Sequence, residues 1–139
     1  ISFMSFSSRR QTFHHFMDSA SKLEEIDSKS YVPIGGTPLF DAMGVTLNKL
    51  KQSLEGKENY NVLVTILTDG EENSSIEFSS EDIKNLVEEL KEKNWTFTYI
   101  GTDHDVEEIA LAALEHPLQV LRTRGVEALL LGDQRRVDR

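Results

Sequence analysis

The chain has 139 residues, 38% of them apolar, enough for one core of modest size. Its 24 acids and 15 bases give a net charge of −9. That excludes a general nucleic-acid or anionic-membrane binder, since both need a positive face. No apolar run reaches the roughly 20 residues that span a bilayer. With no cysteine, disulfides and thiolate metal sites are excluded as well. A reducing, cytoplasmic compartment fits that composition.

Ile1–Ser7 alternates apolar and small polar residues, the period-two signature of a half-buried strand. Ser8, Arg9 and Arg10 form a turn, and Gln11–Phe16 resumes as the hairpin partner. A short surface helix is expected around Ala20–Ile26. Pro33 to Pro38 (P-I-G-G-T-P) is the densest turn signal, and a helix follows it. Thr37 can cap that helix, Pro38 suits its first turn, and Leu39, Met43, Leu47, Leu50 and Leu54 share one face. Gly56 ends it. Val62–Leu67 (VLVTIL) reads as a strand buried on both faces of a parallel sheet, stopping at Thr68-Asp69-Gly70.

Ser79 or Ser80, with Asp82 close behind, caps the next helix, whose apolar face is Ile83, Leu86, Val87 and Leu90. Trp95–Ile100 is another strand. Asp105 and Glu108 mark the cap of a helix over Val106–Leu114. Strands alternating with helices imply right-handed crossovers. The fold class expected is α/β, an open, mainly parallel, Rossmann-like sheet with helices on both faces.

The basic residues divide the chain. Up to Pro117 it uses eight lysines and two arginines, and from Leu118 onward five arginines and no lysine. That switch marks the end of the chain as an atypical, arginine-containing tail, fused or otherwise foreign, and the domains expected are 1–114, the extent of the family resemblance given below, and 115–139, the tail. The alternatives are chance, or a strand or helix at Val126–Leu131 that packs on the sheet.

In open α/β sheets, ligands bind beyond the carboxyl ends of the strands. Asp69 stands at such an end, and Gly70 lets the backbone turn away from it. Thr37 precedes a helix start, behind Gly35 and Gly36, which allow close backbone approach to a ligand. A hydroxyl and a carboxylate, with waters completing the shell, suit Mg²⁺ or Mn²⁺. Taken singly, Thr37 reads as a helix cap and Asp69 as a turn acid. Glu71, Glu72 and Asn73 read as a solvated loop beside Asp69, with Glu71 helping to shape a partner surface. Asp103, His104 and Asp105 read more simply as a helix cap. His14 and His15 face opposite sides of a strand. Arg9 and Arg10 read as a hairpin turn, and Glu88, Glu89, Lys91, Glu92 and Lys93 as the outer face of a helix.

Four stretches, ISFMSFSS, GGTPLFDAMG, ILTDGEEN and FTYIGTDHDVEEIA, resemble the von Willebrand factor type A domain family, particularly its compact bacterial members. The likeness covers Ile1 to about Leu114. It implies a metal-ion-dependent adhesion site, in which a cation is held by an Asp-x-Ser-x-Ser loop, a threonine and an aspartate. Thr37 matches the threonine and Asp69 the aspartate. The Asp-x-Ser-x-Ser loop has no match, because no aspartate precedes Ser5, Ser7 and Ser8. The resemblance thus implies an N-terminally truncated domain, with the first strand and its ligand loop upstream of Ile1. Thr37 and Asp69 alone hold a cation poorly, so an empty site is the alternative.

Without that strand, two others would be left with unpaired backbone edges, a costly defect when buried. An upstream segment, a second chain in an oligomer, or the tail is expected to fill the slot. The function implied is a protein–protein interaction module whose partner supplies a carboxylate to the bound cation, with no nucleic-acid or membrane partner. The alternatives are a regulatory subunit of an ATPase complex and a Mg²⁺-dependent hydrolase or phosphoryl-transfer enzyme. The enzyme reading is disfavoured, since no P-loop, nucleophile elbow or zinc motif is present.

Overall fold

The computed structural model describes residues 1–29, 35–68 and 72–100, together with the backbone of 126–132. The chain begins with a hairpin of β1 (Ser2–Phe6) and β2 (Gln11–His15), antiparallel and joined through Ser7–Arg10. Backbone bonds in both directions between Ser7 and Arg10, 2.7 and 3.3 Å, close that turn. Arg9 and Arg10 are exposed there, as the plain turn reading has it.

The helix expected around Ala20–Ile26 does not form. A single 3-10 turn over Ala20–Lys22, capped by the Ser19 side chain, stands in its place. The reason is packing: Leu23 and Ile26 are 45% and 42% exposed, so no apolar stripe is buried to stabilise so short a helix.

Helix α1 (Leu39–Leu54) buries Leu39, Ala42, Met43, Leu47, Leu50 and Leu54 along one side. Its end is set by Gly56, whose φ of +74° is costly for other residues. Its start differs from expectation. The N-cap is Pro38, and no side chain caps the helix locally, so Thr37 does not serve as its cap. Strand β3 (Val62–Leu67), helix α2 (Ser80–Lys91) and strand β4 (Trp95–Ile100) follow. Ser79 and Asp82 form the capping box that opens α2, each bonding the other's backbone N–H. On β3, buried Val62, Val64 and Ile66 alternate with half-buried Leu63, Thr65 and Leu67, so the two faces are not equally covered among the described residues.

The sheet order is β2-β1-β5-β3-β4, where β5 is Val126–Gly132. Strands β1, β5, β3 and β4 are parallel, and only the edge strand β2 runs against them. Strand β5 therefore occupies the centre. Its Leu130 is in register with Met4 on one side and Ile66 on the other. The slot between β1 and β3 is filled from within the arginine-containing tail, and among the described residues β1 and β3 each pair with β5 and not with each other.

Helices α1 and α2 pack against each other and share one core cluster with Met4, Phe6, Val64, Ile66, Trp95 and Phe97. Each fully buried aliphatic side chain there contributes roughly 1.5–3 kcal/mol. Both described helices thus lie on one face of the sheet. The helix expected over Val106–Leu114 lies outside the described residues. Among the described residues, no helix is long and apolar enough to cross a membrane.

Candidate functional site

The carboxyl ends of β1 and β3 flank that of β5, because Phe6 is in register with Gly132 and Leu67 with Leu131. The segment Gly35–Thr37 is tied to both of these flanks. On the β1 side, the Ser8 N–H donates to the Gly36 carbonyl at 3.0 Å, and the Gly36 N–H donates to Ser8 Oγ at 2.7 Å. On the β3 side, the Thr37 N–H donates to Asn73 Oδ1 at 2.9 Å, and the Asn73 N–H returns a bond to the Thr37 carbonyl at 3.2 Å. Thr37 is thus clamped between the hairpin turn and the loop that follows β3.

The two glycines make this clamp sterically feasible. Gly35 has a φ of +92°, and a side chain there would strike the Ser8 hydroxyl. A methyl group at Gly36 would collide with the Ser74 hydroxyl and the Asn73 amide oxygen. The open space at both positions is taken up by the chain's own loops.

Two carboxylates organise the loop from Glu72 to Phe78. Glu72 Oε1 accepts the N–H groups of Ser74 and Ser75 at 3.0 and 2.8 Å. Its Oε2 accepts the Ser75 hydroxyl at 2.7 Å and the Phe40 N–H at 2.8 Å. Asp41 accepts the N–H groups of Ile76, Glu77 and Phe78 at 2.8, 2.9 and 2.9 Å. Ser75 Oγ in turn accepts the Asp41 N–H at 3.0 Å. The first turn of α1 is therefore capped by a distant loop, which explains why no neighbouring side chain caps it. Anions at a helix N-terminus are favoured by the macrodipole as well as by the free N–H groups.

Thr37, expected as a ligand, is buried at this rim, 5% exposed. Among the described residues its hydroxyl has no hydrogen-bond partner. Asp69, Gly70 and Glu71 lie outside the described residues, as do Asp103, His104 and Asp105. Thr68, the residue before Asp69, is buried, and its N–H donates to the Ile100 carbonyl at 3.0 Å. Glu72, expected in a solvated loop, instead joins that loop to α1 through the Phe40 N–H, while Asn73, exposed as expected, joins it to Thr37. The reason is that Glu72 offers an acceptor to a first-turn N–H that helix geometry leaves unpaired, and Asn73 one to a loop N–H just ahead of the helix. Asp41 stood inside the GGTPLFDAMG stretch with no role assigned to it. An acid in a first helical turn ordinarily signals only the dipole.

The donor set bears on which group could bind. Asp41 and Glu72 are committed to backbone N–H groups and cannot turn to a cation without releasing the loop. The expected ligands are the Thr37 hydroxyl, uncommitted among the described residues, and the Asp69 carboxylate, which lies outside them. Both are hard donors that fit Mg²⁺ or Mn²⁺ as part of a shell completed by water or an external ligand. Among the described residues, no group of three or more histidines and acids is placed to hold a metal.

The histidines sit elsewhere. His14 Nε2 is 2.7 Å from Ser5 Oγ, and its ring stacks on Phe3 at 4.7 Å. Burial, then the neighbouring His15 and Arg10, lowers its pKa. His15 pairs with Asp18 at 3.1 Å. A register shift between Phe3 and Met4 brings both rings to the same open groove, although strict alternation would part them. They engage different partners within it. Glu89, read as plain helix surface, bridges Lys51 and Lys93 at 2.6 and 2.9 Å.

Compared with known families, residues 1–129 match the von Willebrand factor type A domain. The chain belongs to that family. The match extends over the whole α/β unit described above and into β5. Rossmann-like α/β architecture is the fold of this family, and protein–protein interaction, often through a metal-ion-dependent adhesion site, is its general role. No curated protein and no solved structure matches the chain.

Proposed function

We propose that this von Willebrand factor type A domain binds a protein partner through a divalent cation, Mg²⁺ or Mn²⁺, held by Thr37 and Asp69. The partner's carboxylate completes the shell. Gly35 and Gly36 position Thr37, while Gly70 and Glu71 border the site. The observation that supports this reading most is the two-sided clamp on Thr37, which fixes a buried threonine beside the carboxyl end of β3.

Charge supports it as well. Asp41 and Glu72 spend their negative charge on seven hydrogen bonds, three and four respectively, within the α1–loop junction. In this reading Asp69 is the carboxylate that the chain itself offers to the cation. A cation with so little protein charge around it keeps a strong attraction for an outside carboxylate. When bound, the cation supplies the electrostatic attraction. The chain's residues hold it in place and orient its open side.

The test is Mn²⁺ binding by the full chain, followed through the paramagnetic resonance signal of the free ion. Wild type should bind, and Thr37→Ala and Asp69→Ala should each weaken binding roughly tenfold or more. Absence of binding by wild type at millimolar Mn²⁺ sinks the proposal.

A further inference from the structure

Ile76 is 91% exposed, far more than any other large apolar residue among those described. Isolated apolar residues on a surface are ordinary, but the backbone beneath this one is unusually fixed. Five consecutive N–H groups, Ser74 through Phe78, donate to the carboxylates of Glu72 and Asp41. At the end of the loop, Phe78 seats its ring against Gly44 of α1, where an added methyl group would lie 2.5 Å from the ring. The isoleucine is thus held outward on a rigid support, so ordering the loop adds little to the entropy cost of docking.

The surroundings indicate the chemistry of what docks. From Glu72 to Asp82 the chain carries Glu72, Glu77, Glu81 and Asp82 and no lysine or arginine. Glu77, the next residue after Ile76, is exposed, as is Glu81 in the first turn of α2. Such a face repels anionic lipid, and it repels a second copy of itself. It complements a protein surface with an apolar socket bordered by lysine or arginine. Three residues before Ile76, the same loop holds Thr37 through Asn73, so the anchor adjoins the candidate cation site.

We infer that Ile76 is the apolar anchor of the partner interface, inserting into an apolar socket on a basic protein surface. The inference rests on the reading of this rim as a protein-binding site. It adds the partner's chemistry and a contact that needs no metal.

A displayed library of small helical-bundle proteins with randomised surfaces, selected on the full chain in Mg²⁺, supplies the probe. The dominant binders should carry a basic-rimmed apolar socket. They should bind Ile76→Ser about 10- to 100-fold more weakly, in line with burial of one isoleucine, and lose affinity for Glu77→Lys. Because Ile76 is exposed, Ile76→Ser should melt as wild type does and bind Mn²⁺ equally well. Binders indifferent to Ile76→Ser overturn the inference. So does Ile76-dependent dimerisation in the ultracentrifuge, which would make a second copy the occupant. Ile76-dependent sedimentation with phosphatidylserine vesicles would assign the residue to a membrane and overturn it too. Failure of Mn²⁺ binding, with the Ile76 effect intact, removes the cation reading alone.

Discussion

The carboxylate of Asp41 and the backbone N–H of Phe78 lie 2.9 Å apart, although 37 positions separate them in sequence. That bond and its two neighbours, to Ile76 and Glu77, join the first turn of α1 to the loop after β3. Asp41→Ala removes both carboxylate oxygens, and with them all three bonds, from a residue that is 8% exposed. The expected cost is about 2–4 kcal/mol, since charged acceptors bond strongly and the N–H groups lose their partners. Urea unfolding gives the energy. Hydrogen exchange at Ile76–Phe78 should accelerate with it, and unchanged exchange would show that the carboxylate does not hold the loop.

Gly36→Ala tests the clamp from its other side. The new methyl group has no room beside Ser74 and Asn73, so the loops must part. A loss of about 1–3 kcal/mol is expected. Mn²⁺ affinity should fall with it if Thr37 is a ligand. Crowding relieved by a small rotation of Ser74 would instead leave both quantities near wild type.

Strand β5 joins the hairpin β1–β2 to the pair β3–β4, which do not otherwise pair with each other. Leu130→Pro introduces a residue without an N–H at a position in register with Met4 and Ile66. Destabilisation on the order of 3 kcal/mol or more is expected in a central strand. Exchange protection should fall together in β1 and β3. Loss confined to one of them would mean that the strands are joined by other means.

His14 makes stability pH-dependent. Burial lowers its pKa from the usual 6.5, aided by His15 and Arg10, so the folded state binds this proton less readily than the unfolded chain. Its contribution is therefore present above pH 6.5 and lost as pH falls through that value towards the lower folded pKa. The urea midpoint of wild type should drop between pH 7.5 and pH 5.5, and His14→Gln should flatten the drop (the two pH values being about a unit either side of the free imidazole). A variant with the same pH slope as wild type would rule His14 out as its source.

The local elements were legible in the sequence because their causes are local. The Ser79–Asp82 capping box, the leucine spacing of α1 and the period-two alternation of β1 are written within a few residues of one another, and each forms where its pattern lies. The short helix around Ala20 failed because its two apolar residues found nothing to bury them, which no local pattern reveals. Thr37 stood out in the sequence through its glycines and its order relative to Asp69. What surrounds it was not. The acceptors for its loop come from Asn73, and those for the loop beyond come from Glu72 and Asp41, across separations of 35 to 37 residues for Asp41 and 36 for Thr37. The sequence by itself determined β1 to β4, α1 and α2, and its family resemblance implied that a central slot needed an occupant. Only the tertiary structure decided that Val126–Gly132 takes it, because backbone pairing is satisfied by any parallel strand of fitting length that the chain can deliver to both open edges.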